Sequence, residues 1–383
     1  MEPISRRRIL QLLGYTGAAL AARPVLAYAD REHLPDLHTR LTRRYGLRYP
    51  IVGAGMGFYA LPELVAAISN GGGLGVLGAA PEPPERLQLL IREVKALTSK
   101  PFGVDLVNTL LFGGAVPAVT DAHIDVIIAE RIPIVVFFWN PPTQAWVDRL
   151  HAAGAEVWMQ VASVTGALDA LDVGVDVFIA QGSEAGGHKR GAFEGSLTPR
   201  AELVPAISAA VGGRIVLGAG GIADGETLAD ALVEGADGAW VGTRFAASLE
   251  SYAHSEYKQR VLAVTRPADS VQTTMFGPEW QAPIQVLRDR VVNQWLGRED
   301  QIPNPPPPPA VIGTTLFAGA PYSMPKFSVI LPTRDTSGDF EEMCWPAGGQ
   351  SAVRIHAILP AAVILKVMAL EARISLAHRI GHR

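Results

Sequence analysis

The 383-residue chain contains one cysteine, Cys344. That excludes a disulfide framework, a CxxC redox pair and a zinc knuckle. Beside Trp345, Cys344 reads as a small apolar packing residue. Charge is also sparse: Asp, Glu, Lys and Arg make up 18% of the chain and the net charge is −4. No basic stripe or aromatic-rich basic patch is present, so nothing supports nucleic-acid binding. The histidines show no paired metal-ligand spacing; His33 and His38 fall in the leader, His378 and His382 in the tail. No apolar run suits a membrane span. Ile9–Ala22 is short and rich in glycine and alanine, and Ala352–His378 is interrupted by Lys366, Glu371 and Arg373 and reads as a packed helix. No GxGxxG follows a first strand, so a pyrophosphate-binding turn is missing too.

What is present is a chain that is 48% hydrophobic, enough for one large barrel with additions. It opens with Ser5-Arg6-Arg7-Arg8-Ile9-Leu10, the mildly apolar stretch, and then Ala27-Tyr28-Ala29, a small-x-small pattern. This resembles a twin-arginine export signal over residues 1–29, although Ile9 and Gln11 depart from the preferred motif. The expectation is a periplasmic protein exported already folded through the twin-arginine translocon, with a cytoplasmic location as the alternative. No stable membrane insertion is expected.

Two glycine-rich stretches carry most of the information. Asp176–Gly191 reads DVFIAQGSEAGGHKRG, and Arg214–Phe245 reads RIVLGAGGIADGETLADALVEGADGAWVGTRF. Each begins as a short apolar run, a buried strand, and breaks into glycines where backbone must approach a ligand closely. The second continues through a helix into another strand ending in Gly242-Thr243-Arg244. Adjacent Gly-rich βα loops late in a barrel form an anion site from backbone N–H groups. His188 follows the glycines of the first stretch at the expected barrel mouth.

The same rhythm runs through the chain. Strands are predicted at Tyr49–Gly53, Leu74–Leu77, Phe102–Leu106, Ile134–Trp139, Glu156–Val161, Val177–Ala180, Ile215–Leu217 and Ala239–Val241, with helical stretches between them. Such alternation predicts an α/β fold, a (β/α)₈ TIM barrel with a small, mainly helical cap and C-terminal region. The barrel is assigned to residues 30–250. A cap over its mouth is assigned to residues 251–350, with helices at Tyr252–Thr265 and Ile284–Leu296, a polyproline linker at Pro305–Pro309 and a short extended piece at Ser328–Leu331. Residues 351–383 are expected to form a C-terminal helix on the barrel.

AQGSEAGGHKRG, GAGGIADG and GAWVGTRF, together with PIVGAGMG, SNGGGLGVLG and Ala347-Gly348-Gly349-Gln350-Ser351, resemble the nitronate monooxygenases, formerly 2-nitropropane dioxygenases. The resemblance runs from Leu41 to the C-terminus. It implies an FMN-dependent barrel that oxidises alkyl nitronates or nitroalkanes with O₂ to a carbonyl compound and nitrite. Carried over by position, Gly55, Met56 and Gly57 would lie under the flavin, and Gln181, Gly186 and Gly187 would meet it from the sixth loop. Gly220, Gly221, Trp240, Val241, Gly242 and Thr243 would hold its phosphate. His188 is the candidate catalytic residue, either taking an α-proton or pairing as imidazolium with an anionic nitronate. No metal is implied.

Two positions depart from the family. Asp105 stands where the family has Asn; it is either protonated or faces a donor such as the flavin N3–H or a ribityl hydroxyl. Lys189, after His188, is expected to alter the substrate mouth. The alternative enzyme reading is an FMN-dependent NAD(P)H reductase of the same fold, such as an enoyl-acyl-carrier-protein reductase II or quinone reductase. The alternative from another class is a flavin-binding protein without turnover. Oligomeric state is not legible.

Overall fold

Eight short parallel strands follow one another around a closed sheet: β1 (Ile51–Gly53), β2 (Gly75–Gly78), β3 (Phe102–Asn108), β4 (Ile134–Trp139), β5 (Glu156–Val161), β6 (Val177–Gln181), β7 (Ile215–Ala219) and β8 (Gly238–Val241). Each pairs in parallel with its sequence neighbour, and β8 pairs with β1 (Ile51 with Ala239). The ring closes between β1 and β2, where Gly53 N donates to Leu74 O at 2.9 Å and Leu74 N to Ile51 O at 3.1 Å. These strands are buried on both faces, which is why they read as continuous apolar runs and not as alternation. This computed structural model describes residues 34–381 except 81, 112–115, 196, 279, 281 and 304–309. The twin-arginine segment and Pro305–Pro309 lie outside the described residues.

The inward side chains, among them Val52, Val76, Val136, Trp158, Ile179 and Leu217, fill the barrel. Its lower end is plugged by α1 (Arg40–Tyr45), whose Leu41 is fully buried and whose Tyr45 ring lies 5.3 Å from Trp158. Arg40 grips Asp237 with two hydrogen bonds of 2.7 and 2.6 Å, fixing that plug to the loop before β8. A second core lies between the strands and the helices around them. Those helices are α2 (Pro62–Gly71), α3 (Pro84–Leu97), α4 (Asp121–Ala129), α5 (Gln144–Ala152), α6 (Val164–Asp172), α7 (Arg200–Ala210) and α8 (Gly225–Val233). The helix that should follow β8 is deferred. The chain first builds the cap, then returns as α11 (Ala361–Gly381), which packs between α8 and α2 and fills the eighth place in the ring.

The cap contains strands that sequence periodicity did not announce. Ser255–Leu262 (α9) and Arg290–Trp295 (α10) are helical. Ile284–Leu287, expected as the start of a helix to Leu296, is instead a strand, β10, antiparallel to β9 (Ser270–Thr273). A four-residue apolar run carries no usable period, so its partner decides its form. The helix begins only after Asp289, whose carboxylate accepts from Val292 N at 2.8 Å as an N-cap. A hairpin, β11 (Val311–Phe317) and β12 (Ala320–Pro325), turns at Ala318-Gly319, both at positive φ, and pairs with β13 (Ser337–Gly338). Ser328–Leu331 is irregular and borders the cavity. The helix expected over Ala352–His378 starts at Ala361, because Pro360 lacks the N–H to continue one from before it. Among the described residues no helix is long and apolar enough to cross a membrane.

Candidate functional site

The carboxyl ends of the strands open into a cavity of about 400 Å³ roofed by the cap. Gly55, Met56, Gly57, Asp105, Gln181, Gly186, Gly187, His188, Gly220, Gly221, Trp240, Gly242 and Thr243 all line it. Val241 does not: its side chain is fully buried in the outer core, because alternate residues of a strand point to opposite faces. Trp240 faces the cavity for the same reason.

At β7 the chain passes Ala219 and turns through Gly220 (φ +99°) and Gly221 (φ +72°). A Cβ on Gly220 would lie 2.9 Å from Ala185 N and fill the space between this loop and the loop after β6. Arg200, 7% exposed, braces the turn from behind. Its Nη1 donates to Gly220 O at 2.6 Å, and its other nitrogens hold Glu234 at 2.7 and 3.0 Å. The neighbouring Gly242-Thr243 turn is tied to the cap, since Gly348 N donates to Thr243 Oγ1 at 3.1 Å. The expected phosphate cradle is therefore a rigid, pre-formed backbone surface.

His188 sits on a strand and not on a free loop. Gly187-His188 forms the edge of the cap sheet, with His188 opposite Ile284 of β10. Gln181 locks it from the barrel side: Nε2 donates to His188 O at 2.9 Å, and Oε1 accepts from Arg190 N at 3.0 Å. Both ends of the Gln181 amide thus hold the histidine segment, leaving Gln181 a positioning residue at the cavity wall. Lys189 is 5% exposed and turns inward, its Nζ donating to Ser183 O at 3.1 Å and Gln285 Oε1 at 2.9 Å. It ties barrel loop to cap and does not shape the substrate mouth as expected.

The His188 ring lies edge-on to Trp280 at 4.5 Å and to Trp139 at 6.0 Å. Trp139 holds φ +85°, unusual for a bulky residue. Both His188 ring nitrogens are buried and neither meets full hydrogen-bond geometry, although the Pro283 carbonyl lies close enough to act on the ring. Burial pushes its pKa down to about 4, with the nearby Pro283 carbonyl a weaker opposing influence. The imidazole is therefore neutral at physiological pH: one N–H donor and one acceptor, held ready for a ligand.

Asp105, on β3, is 6% exposed, and its Oδ1 has no partner. Gly55 passes directly over it, and any Cβ there would collide with the Asp105 side chain. Burial alone pushes the Asp105 carboxyl well above its ordinary range. These features fit a flat, phosphorylated cofactor: a backbone cradle that a Cβ would fill, a glycine floor, and buried polar atoms with free valences.

The cap half of the cavity is apolar and aromatic. Phe58 and Phe317 rings are 6.3 Å apart, Phe317 and Tyr322 5.4 Å, and Phe327 also lines this half. Lys326 is the only Lys or Arg among the described lining residues, and its Nζ pairs with Glu342 at 3.0 Å. Local sequence does not reveal Trp280, because only the cap fold brings it onto His188. The Phe317–Tyr322 hairpin did carry a signal, two apolar runs about a two-residue turn containing glycine.

Known proteins match this chain over most of its length. A family model described as nitronate monooxygenase matches residues 38–370. A probable nitronate monooxygenase of Staphylococcus saprophyticus is 33% identical over 304 residues, spanning 70% of this chain and 84% of that protein. One from Staphylococcus aureus is 32% identical over 303 residues, spanning 70% and 83%. Among solved structures, FabK from Thermotoga maritima superposes with a TM-score of 0.72 at 28% identity, covering 90% of this chain and 99% of that one. Nitroalkane oxidase from Streptomyces ansochromogenes gives 0.71 at 25% identity, covering 88% and 99%. Matched by the family model over residues 38–370 and by relatives a third identical, the chain belongs to the nitronate monooxygenase family of flavin-dependent oxidoreductases.

Proposed function

We propose that the protein holds FMN and oxidises alkyl nitronates with O₂, yielding a carbonyl compound and nitrite. The observation that carries this reading is His188, half-buried at the cavity wall, with shielded ring nitrogens and a neutral ring. With a pKa near 4 it is a weak base for pulling a carbon-bound proton from a neutral nitroalkane. As a neutral imidazole it can still donate its N–H to an oxygen of a nitronate, an anion that has already lost that proton. An anion bound beside it would in turn favour the imidazolium and draw a proton onto the ring.

The single backbone cradle at Gly220-Gly221 and Gly242-Thr243 supports one phosphate, hence FMN over FAD. Gly55, Met56, Gly57 and Asp105 would lie against its ring. Bound there, the flavin supplies the electron sink for the nitronate and the route by which electrons reach O₂. The protein's own part is to present the nitronate through His188, hold the apolar tail between Phe58, Phe317 and Tyr322, and exclude bulk water with the cap. Among the described lining residues Lys326 is the one Lys or Arg, and its pairing with Glu342 disfavours a carboxylated substrate.

The likeness to FabK supports a second reading, an FMN-dependent NAD(P)H reductase. Its weak point is the same shortage of cations, since a nicotinamide dinucleotide brings phosphates of its own. Anaerobic bleaching separates the two. Propyl-2-nitronate should remove the oxidised flavin absorbance while NADH and NADPH leave it; bleaching by a nicotinamide alone would replace the first reading with the second.

A further inference from the structure

Asp105 is the one carboxyl group lining the cavity among the described residues, and its buried Oδ1 has no hydrogen-bond partner there. Its neighbours in the sheet are Gly78 on β2 and Val136 on β4, neither able to ionise. Above it runs Gly55, and Ala79 N is engaged with the Asp105 main-chain carbonyl at 3.0 Å, not with its carboxyl. The other ionisable side chains facing the cavity are His188, Lys326, Tyr59, Tyr257 and Tyr322. His188 is neutral and Lys326 is held by Glu342. Tyr257 spends its hydroxyl proton on Pro346 O at 2.9 Å. No cation among the described lining residues compensates Asp105. A carboxylate left buried without a counter-charge or full hydrogen bonding is strongly unfavourable, and such a group takes up a proton instead.

We propose that Asp105 keeps its proton at neutral pH and meets the flavin ring as a hydrogen-bond donor. The inference rests on the flavin reading above and deepens it. A carboxylate can only accept, so against the ring it would repel every electron-rich edge and the negative charge that reduction brings. A neutral carboxylic acid both donates and accepts, and so does the same work as an amide of nearly equal size. The Gly55 crossing explains the choice of a short side chain: with no room above Asp105, its carboxyl group is confined to the cavity floor.

Asp105→Asn tests this on the flavin-loaded protein. The infrared difference spectrum, wild type minus D105N, should contain a protonated-carboxyl stretch at pH 7.5, and the flavin midpoint potential should change little. Thermal stability supplies an independent arm. A carboxyl whose folded pKa lies above its unfolded value favours folding only at low pH, and the wild type loses that contribution as pH rises from about 4 towards the folded value. The stability of D105N relative to wild type should therefore climb between pH 4 and pH 8. A missing carboxyl band, a pH-independent stability gap, or a clearly raised potential in D105N would mean an ionised Asp105 and overturn the proposal. A protein that keeps the band but binds no flavin would retain the proton and lose the donor role, a failure that points to the flavin reading itself. Asp105→Leu, matched in size but without a donor, should weaken FMN retention about tenfold while D105N stays within about threefold, the difference expected for one lost hydrogen bond; equal retention in both would also overturn the donor role.

Discussion

His188→Asn provides a direct thermodynamic test of the neutral histidine on which the proposed chemistry turns. In the unfolded chain His188 titrates near 6.5, whereas in the fold burial lowers it to about 4. Above pH 6.5 neither state holds the proton and the residue has no effect. As pH falls below 6.5 the unfolded chain gains a proton that the folded protein refuses, so stability falls with pH and levels off below pH 4. The loss works out at about 1.4 kcal/mol at pH 5.5 and about 2.5 kcal/mol at pH 4.5. At roughly 2 °C per kcal/mol for a chain of this size, H188N should gain on the wild type by about 5 °C in Tm between pH 7 and pH 4.5. The assay is paired thermal melts at fixed excess FMN, so that flavin loss contributes equally to both proteins. Other titrating groups bend both curves alike, and only the gap carries the signal. A gap that does not move with pH would mean that His188 titrates normally, is partly cationic near neutrality, and presents itself as an imidazolium. H188N should also lower turnover of a preformed nitronate by about 10–100-fold, the worth of one hydrogen bond to a charged group.

Further outcomes follow from the same geometry. Gly220→Ala should reduce FMN affinity by at least about tenfold, since φ +99° is hostile to a side chain and the Cβ meets Ala185 N at 2.9 Å. Gly212→Ala, at φ +60° with nothing within 4 Å, should cost some stability yet leave flavin content unchanged; fluorescence titration of the apoprotein reads both. For straight-chain nitronates, kcat/KM should rise about fourfold per added methylene while the tail remains among Phe58, Phe317 and Tyr322, and Phe317→Ala should flatten that slope. A carboxylated nitronate that outperforms its alkyl counterpart would refute the tail assignment. Replacing Arg6 and Arg7 by Lys should leave the protein full length, flavin-loaded and cytoplasmic in its native host; a wild type already retained there uncleaved would remove the export proposal.

The barrel was legible because a parallel strand buried on both faces must be an apolar run, and its loop glycines interrupt that run where backbone meets backbone or ligand. Those constraints are local and recur eight times, so the strands, the Gly220-Gly221 turn and the position of His188 at the mouth could all be read in order. Facing direction is set residue by residue: Val241 shares its motif with Trp240 but points the other way, because a strand alternates sides. The cap was the hard part. Ile284–Leu287 is a strand only because Ser270–Thr273 and Gly187-His188 offer it hydrogen bonds on both sides, and nothing within those four residues records that.

The decisive chemical states are likewise properties of the assembled molecule. A histidine and an aspartate in a sequence carry ordinary pKa values; burial shifts them in opposite directions by penalising the same thing, an uncompensated charge. The sequence by itself determined the barrel, the glycine turns at its mouth and the family. Tertiary structure alone decided that His188 is neutral, that Gln181 and Lys189 serve as struts, and that Asp105 is enclosed without a partner, since burial and pairing exist only once distant segments have met.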